Sequence, residues 1–445
     1  MSCKLETIAT DKRNPGSPWA WIPTLYIAEG LPYVAVNVLT VLLYTQLGIP
    51  KFEMALYTGW LYLPWVIKPF WSPFVDIFST KRRWTIAMQF MMAAGLGGVA
   101  FFLPVSFFFA ATLALFWIVA FCSATHDIAA DGFYMLALDE RRQAAFVGVR
   151  STFYRIANVL GQGGLVVLAG QFCISLGSPA RAWSATFYIL AAFFLLIALY
   201  HCKAMPRPSQ DRPQAAHEGA AEILRGFGEA FATFFRKRNV WLALLFILLY
   251  RVPEALCLKL VAPFLVDCRY NGGLGLSVTQ IGFANGTVGV IALLAGGIVG
   301  GWVISRGGLR QWLWPMALAL TLPCAVYCFM AMWQPDNFAL VCALIGIEQF
   351  GYGFGFTAFM MFLIYFSQGT MQTSHYAFCT AFMALGMMLP GMAAGWLFDL
   401  LAPVQQPGDS SVPFGYINFF WAVMVTSLLT YAGTWAARRI TREKY

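Results

Sequence analysis

The densest group of ionisable residues inside a long apolar segment lies in the run FCSATHDIAADGFYMLAL, which contains His126, Asp127 and Asp131. The two aspartates are four residues apart, which places them one turn apart on the same face of a helix. Two neighbouring carboxylates raise each other's proton affinity, and a histidine can titrate near neutral pH. The spacing therefore indicates a site that loads and releases a proton. The alternative is that Asp127 or Asp131 pairs with an arginine only to hold the helices together.

The next apolar segment carries two arginines in the run RSTFYRIANVLGQGG. Arg150 and Arg155 are five residues apart and so lie on partly different faces of a helix. A guanidinium group forms paired hydrogen bonds with carboxylate or phosphate, which suits either substrate binding or a structural pair with an acid. We favour Arg155 for substrate, because Arg150 is nearer the cytoplasmic end of its predicted helix. Arg150 and Asn158 are further expected substrate contacts.

Two other predicted helices carry an acid beside a proline. The first has the run EGLP starting at Glu29, and its counterpart has RVPE from Arg251 to Glu254, followed by Lys259. A membrane helix interrupted by glycine and proline opens backbone groups towards a cavity. We therefore predict proton coupling at Glu29 and Glu254 and substrate binding at Arg251 and Lys259. A local Arg251–Glu254 pair with i, i+3 spacing is the alternative.

Glu348 and Trp65 complete the expected substrate site. A charge at the centre of a bilayer costs on the order of 2.5–3.5 kcal/mol on insertion scales, so a buried acid such as Glu348 is a functional candidate by default. Trp65 belongs to a group of aromatic residues that could stack on a sugar ring or a nucleobase, although ordinary packing also explains it.

The turn after the second predicted helix follows the run KPFWSPFVD, which ends at Asp76 and precedes Lys81, Arg82 and Arg83. An acid at a helix end followed by a basic cluster can form charge pairs on the inner face of a membrane protein. Such pairs hold one conformation closed and break in the other. We predict a gate at these four residues, in preference to direct contact with substrate.

The composition indicates the kind of protein in which these residues lie. The chain has 445 residues, of which 60% are hydrophobic and 11% are charged, whereas soluble proteins carry roughly 25% charged residues. Soluble domains are therefore excluded, and an all-α membrane protein is predicted. The ten cysteines are scattered and include no CxxC pair, so we interpret them as buried thiols.

Apolar runs between charged or Pro/Gly breaks predict twelve transmembrane helices. They span 19–46, 53–76, 84–104, 108–138, 143–176, 182–203, 239–268, 277–305, 311–332, 337–367, 372–401 and 415–437. Lys and Arg are concentrated on one side of these helices, with 21 in the tails and alternate loops against three in the opposite loops. Positive loops stay in the cytoplasm during insertion, so both termini are predicted to be cytoplasmic. This topology also explains the net charge of +9 and removes nucleic acid as a partner.

The single long polar stretch divides the helices six and six. We expect a cytoplasmic tail at 1–18 in place of a signal peptide, a first bundle at 19–203, a linker with an amphipathic helix at 204–238, a second bundle at 239–437 and a tail at 438–445. A shift of 225 residues aligns Glu29 with Glu254 and Gly161 with Gly386. Two six-helix repeats around a central cavity are the plan of the major facilitator superfamily.

Three stretches in the first half resemble the AmpG family of muropeptide permeases, relatives of the acetyl-coenzyme A transporters within that superfamily. They are EGLP from Glu29, the run KPFWSPFVD, and FCSA with the following Asp127 and Asp131. The resemblance implies proton-driven import of N-acetylglucosamine linked to anhydro-N-acetylmuramic acid, with or without peptide. It also implies that Glu29, Asp127 and Asp131 are family positions, whereas His126 replaces a usual glutamine.

The sequence lacks the motifs of other energy sources and chemistries. It has no Gly-rich loop ending in Gly-Lys-Ser/Thr, no GxSxG and no His/Cys/Glu set with metal-ligand spacing. We therefore expect a transporter rather than an enzyme, driven by an ion gradient, without cofactor or metal. Its partners would be protons, lipid and a small molecule, and it would act as a monomer in a bacterial inner membrane. The alternatives are a carrier of acyl-coenzyme A or another anionic metabolite, and a sensor that does not transport.

Overall fold

The computed structural model describes residues 17–212, 220–369, 371–402 and 414–441, and all regular secondary structure in these ranges is helical. We number the helices in chain order. The first ten form the first bundle, the linker and the start of the second bundle. They are α1 (Pro18–Gln46), α2 (Lys51–Trp60), α3 (Leu63–Phe78), α4 (Lys81–Phe102), α5 (Phe108–Ala137), α6 (Glu140–Asn158 and Val166–Leu176, joined by the π-helical turn Val159–Leu165), α7 (Pro179–Ala204), α8 (Ala220–Phe235), α9 (Val240–Val266) and α10 (Val278–Gly307).

Four further helices complete the second bundle. They are α11 (Leu309–Trp333), α12 (Phe338–Ser367), α13 (Gln372–Leu401) and α14 (Gly415–Ile440). Eleven helical segments of the described chain are long and apolar enough to cross a membrane. The predicted all-α fold is thus confirmed.

Two of the predicted crossings are broken. In α9 the helix is interrupted at Tyr250 and Arg251, and the crossing predicted at 53–76 is divided into two separate helices. It consists of α2 with 10 residues and α3 with 16 residues. Pro64 lies in the first turn of α3, where its missing amide hydrogen leaves no hydrogen bond unmade. The break falls at Leu61 and Tyr62, which are both buried, and Tyr62 packs with Ala255 and Met387 of the second bundle. Both α2 and α3 contact α13 of the second bundle.

Successive crossings run in opposite directions, so the outer ends of α1 and α14 lie on one side of the molecule. We call this side, marked by Pro18 and Ile440, the tail side and the opposite one the far side. The side chain of Tyr200 donates to the Ala20 carbonyl, and Tyr365 donates to the Ile440 carbonyl. Each bundle is thereby tied together at its tail-side end.

The two bundles approach most closely towards the far side. At the crossing of α6 and α10, a Cβ on Gly286 would lie 2.1 Å from the Gly163 nitrogen, so only glycine permits this approach. Nearer the far side, a Cβ on Gly170 would lie 2.4 Å from Thr279 Oγ1. No side chain fits between the helices at these points. The far side is therefore closed in this structure.

The linker helix α8 packs on the tail side, against both bundles. Phe227 lies 5.9 Å from Phe70 of α3 and 5.7 Å from Phe378 of α13, measured between ring centres. Thr233 Oγ1 is 3.1 Å from His375 Nε2 of α13. The apolar face of α8 thus lies against helices, while Arg225 on its other face is exposed.

Candidate functional site

The acidic residues predicted on separate helices come together inside the first bundle. We call Glu29 of α1 with Asp127 and Asp131 of α5 the acid cluster. Their carboxylate oxygens lie within 4.8 Å of one another. Glu29 is 8% exposed, and its Oε2 has no hydrogen-bond partner among the described residues. The cluster therefore concentrates negative charge at one point between α1 and α5.

Two cations neutralise part of this charge. Lys68 of α3 forms an ion pair with Asp127, and Arg150 of α6 lies 2.8 Å from Asp131. Tyr26 donates a hydrogen bond of 3.2 Å to Asp131, and its ring lies 4.7 Å from the Arg150 guanidinium carbon. The pairing with Arg150 was one of the predicted alternatives, whereas the pairing with Lys68 was not. Three carboxylates therefore share two cations, which leaves one negative charge in excess.

His126 does not join the acid cluster, although it is adjacent to Asp127 in the chain. Its Nε2 is 2.9 Å from the side-chain nitrogen of Gln89 in α4. Gln89 Oε1 is in turn 2.9 Å from His201 Nδ1, and His201 Nε2 is 2.8 Å from Thr24 Oγ1. This buried polar chain links α5, α4, α7 and α1. Its residues other than His126 were not predicted, because uncharged polar residues in apolar runs carry a weak signal.

The second bundle holds a balanced pair. Arg251 Nε donates to Glu254 Oε2 at 2.7 Å, and its terminal nitrogen contacts the other carboxylate oxygen. The same guanidinium donates to Tyr352 Oη at 3.1 Å and lies 4.8 Å from the centre of the Phe356 ring. The structure thus shows the local pair that the i, i+3 spacing allowed. Glu254 neutralises Arg251 completely.

Aromatic residues line the space between the two charged groups. Tyr33, one helical turn beyond Glu29, lies 5.3 Å from Trp65 and 6.3 Å from Tyr62 between ring centres. Tyr33 and Tyr62 pack together with Ala255 and Met387 of the second bundle. Trp65 is packed edge-on against Tyr33 and remains partly exposed. The predicted sugar-stacking residue is therefore at the interface between the bundles.

The other predicted substrate residues occupy different places. Asn158 donates to the Tyr154 carbonyl of its own helix at 3.0 Å. Arg155 is exposed, and its guanidinium reaches Gly297 of α10 in the other bundle. Glu348 is 7% exposed and accepts hydrogen bonds from Tyr327 and Gln349. None of these contacts joins the acid cluster.

The comparisons with known proteins agree with this architecture. The model of the family described as Major Facilitator Superfamily matches residues 24–253, which is more than half of the chain. The chain belongs to the Major Facilitator Superfamily. Two solved structures share its fold. They are the nucleoside transporter NupG (TM-score 0.67, 15% identity, 93% of this chain and 98% of that one) and a D-xylose-proton symporter (TM-score 0.66, 10% identity, 93% and 96%).

Curated relatives are more similar in sequence than these solved structures. The anhydromuropeptide permease of Escherichia coli (strain K12) is 25% identical over 343 residues, which are 75% of this chain and 65% of the permease. The match therefore spans less than two thirds of that relative's length. The putative transporter AmpG 4 of Rickettsia conorii is 23% identical over 391 residues, 85% of this chain and 89% of the relative. The predicted resemblance to the AmpG family is confirmed.

One charged contact joins the two bundles on the far side. Lys51 at the start of α2 lies 2.8 Å from Asp267, which follows α9 in the other bundle. Tyr416 of α14 donates to the same carboxylate at 2.6 Å, and the Lys51 amine lies 5.0 Å from the Phe398 ring centre. We call Lys51, Asp267 and Tyr416 the far-side latch. The sequence placed Lys51 only in a loop, because its partner is distant in the chain.

Two of the residues predicted as a gate, Lys81 and Arg82, contact the linker and the end of α7. Asp211, at the start of the linker, accepts from the backbone amides of Lys81 and Arg82 at 2.7 and 3.0 Å. The Arg82 side chain donates to the carbonyls of Cys202 and Met205. Arg83 follows in the first turn of α4, and the Asp76 side chain lies outside the described part of the chain. These contacts fasten the linker to α4, and the gate remains a prediction.

Proposed function

We propose that the protein is a proton-coupled transporter that imports anhydromuropeptides by alternating access. The cargo is N-acetylglucosamine linked to anhydro-N-acetylmuramic acid, with or without peptide. The curated relatives named as anhydromuropeptide permease and AmpG transporters support this substrate class. The distribution of Lys and Arg in the sequence supports cytoplasmic termini, and hence a bacterial inner membrane with the far side facing outwards.

The excess acid in the acid cluster is the observation that supports proton coupling. Glu29, Asp127 and Asp131 face only Lys68 and Arg150 as cations within the described contacts. An uncompensated charge in a low-dielectric interior is strongly unfavourable, so the cluster is stabilised by taking up one proton. Glu29 is the carboxylate without an ion pair among the described residues. We assign the transported proton to Glu29, with Asp127 and Asp131 as its charge environment.

The cluster can exchange this proton with water in the present state. The far side is closed, while the side chains of Asp131 and Arg150 are 35% and 32% exposed. Access therefore runs from the tail side, which the positive-inside distribution makes cytoplasmic. Release of the proton and of the cargo into the cytoplasm is the step that this state serves.

The cargo site in this proposal lies between the two charged groups. Tyr33 and Trp65 offer ring faces to the sugars, while Arg251, Glu254 and Tyr352 offer hydrogen bonds from the second bundle. Both Arg150 and Arg251 are already paired with an acid. At this central site, arginines that are already paired favour a sugar-peptide over acyl-coenzyme A, whose several phosphates would need unpaired arginines there.

Uptake in membrane vesicles tests the proposal. Labelled anhydro-disaccharide should accumulate under an inward proton gradient, and a protonophore should abolish the accumulation. Glu29→Gln should lose accumulation by more than about tenfold, yet keep exchange of labelled for unlabelled cargo at equilibrium, because exchange needs no net proton movement.

A matched control is Asp336→Asn, which changes an acid that is 93% exposed and pairs with Arg269 on the far side. It should leave both activities at the wild-type level. Accumulation that resists the protonophore, or Glu29→Gln vesicles that still concentrate the cargo, would contradict proton coupling at the cluster. Wild-type vesicles that take up no anhydro-disaccharide would contradict the substrate class.

A further inference from the structure

A buried amine lies apart from both charged groups, towards the far side. Lys259 of α9 is 1% exposed, and its Nζ donates to Thr58 Oγ1 at 2.9 Å. The same nitrogen is 5.4 Å from the centre of the Tyr62 ring. In the described ranges, no carboxylate lies within the 4.0 Å ion-pair distance of this amine. Lys259 is thus a buried amine whose polar contact is a neutral hydroxyl.

A hydroxyl alone is a poor match for a buried ammonium group. The ammonium carries three donors and a full charge, and Thr58 Oγ1 offers a single neutral acceptor that itself donates to the Met54 carbonyl at 2.6 Å. Ionisable residues inside membrane segments face cavities or partners and mark binding paths. A role in packing alone would be served better by an apolar side chain such as methionine. The amine therefore suits an anion that is present in another state of the cycle.

The contacts of Lys259 indicate in which state of the cycle an anion could reach the amine. Thr58 and Tyr62 belong to the first bundle, whereas Lys259 belongs to the second. Lys259 lies seven residues before the end of α9 at Val266, which corresponds to about 10 Å along the helix. It is thus on the far side of Arg251. Separation of the bundles on the far side, with loss of the far-side latch, would carry Thr58 away and expose the amine to the outer vestibule.

We propose that Lys259 is a carboxylate-binding site of the outward-open state and that Thr58 replaces the carboxylate when the far side closes. The inference rests on the proposed function for the source of the carboxylate, which is the lactyl or peptide carboxyl group of the incoming muropeptide. A carboxylate on the amine blocks the return of Thr58. Closure therefore follows the movement of the substrate from Lys259 to the central site.

Chemical labelling tests the site without any transport. Cells are treated from outside with a membrane-impermeant sulfosuccinimidyl acetate, and acetylation of Lys259 is read by mass spectrometry. Asp267→Asn, which removes the ion pair of the far-side latch, should raise the labelling rate at least about threefold over wild type, since it favours the open far side. The free-acid disaccharide should slow this labelling, and its methyl ester should not. Equal labelling of both proteins, or equal protection by acid and ester, would overturn the inference.

Uptake provides the second arm. Wild type should take up the free acid with a KM about tenfold lower than that for the methyl ester, because a charge-assisted contact is lost in the ester. Lys259→Met should remove this preference, and Lys259→Arg should restore part of it. If Lys259 serves packing alone, Lys259→Met reduces uptake of both compounds equally, which contradicts the proposal.

The two arms separate this inference from the proposed function. Carboxylate protection of Lys259 without uptake of either compound would contradict the proposed function and support the site. Uptake that depends on the proton gradient, with a preference for the acid that survives in Lys259→Met, would contradict the site alone.

Discussion

The two bundles carry charge in the membrane interior in different ways. In the first, three carboxylates share Lys68 and Arg150, and the side chains of Asp131 and Arg150 are about one third exposed. In the second, Arg251 and Glu254 form a one-to-one pair whose side chains are 10% and 16% exposed. An unbalanced, accessible cluster gains stability from a proton, whereas a balanced, buried pair does not. We infer that coupling belongs to the first bundle and cargo orientation to the second.

The largest effect is expected from a variant that increases the excess negative charge of the acid cluster. Lys68→Met removes the partner of Asp127 and leaves one cation for three carboxylates. Loss of one member of a buried pair costs about 3–5 kcal/mol, so proton-driven accumulation should fall by at least about a hundredfold. The double variant Lys68→Met/Asp127→Asn restores the charge balance and should recover exchange of cargo at equilibrium.

Surface expression and the melting temperature of the purified variants serve as controls for folding. If the double variant exchanges no better than Lys68→Met, the charge balance of the cluster is not what limits transport, and the distinction between the bundles loses its basis.

A smaller effect, of a different kind, is expected from the second bundle. Glu254→Gln keeps the shape of the side chain but frees the Arg251 guanidinium from its carboxylate. A misoriented hydrogen-bonding group should raise the KM for cargo about tenfold, in line with about 1.5 kcal/mol for one charge-assisted contact. Accumulation and exchange should decline together, since the proton site is intact. The measurement is the ratio of the two activities, and a selective loss of accumulation would move coupling into the second bundle.

The sequence predicted this division incompletely, for identifiable reasons. Charges within apolar runs are conspicuous, so Glu29, Asp127, Asp131, Arg251 and Glu254 could all be found. Their partners were harder to find, because pairing depends on how the helices pack. The Arg251–Glu254 pair lies within one helix and could be stated from its spacing, whereas the Lys68–Asp127 pair joins two helices.

Contacts between the bundles could not be predicted from the sequence either, because they also depend on how the helices pack. Lys51 and Asp267 lie at the ends of their helices and far apart in the chain, so nothing local connects them. The break in the second crossing had a local signal in Pro64, but a proline in a membrane helix is also compatible with a continuous kinked helix. The all-helical plan depended on composition and periodicity, which are properties of the chain itself.

The smallest effect is expected at His126, which the sequence grouped with the acids. In the structure, its ring is hydrogen-bonded to Gln89, and this series of hydrogen bonds continues to His201 and Thr24. A histidine held in this way contributes to helix packing, so His126→Gln, which keeps a hydrogen-bonding side chain, should change accumulation by less than about twofold and cost about 1 kcal/mol of stability. The pH profile of uptake should match that of wild type, because the acid cluster is unchanged. A profile displaced by a full pH unit would return His126 to the proton site, and the first bundle would then couple through an imidazole as well as through its excess acid.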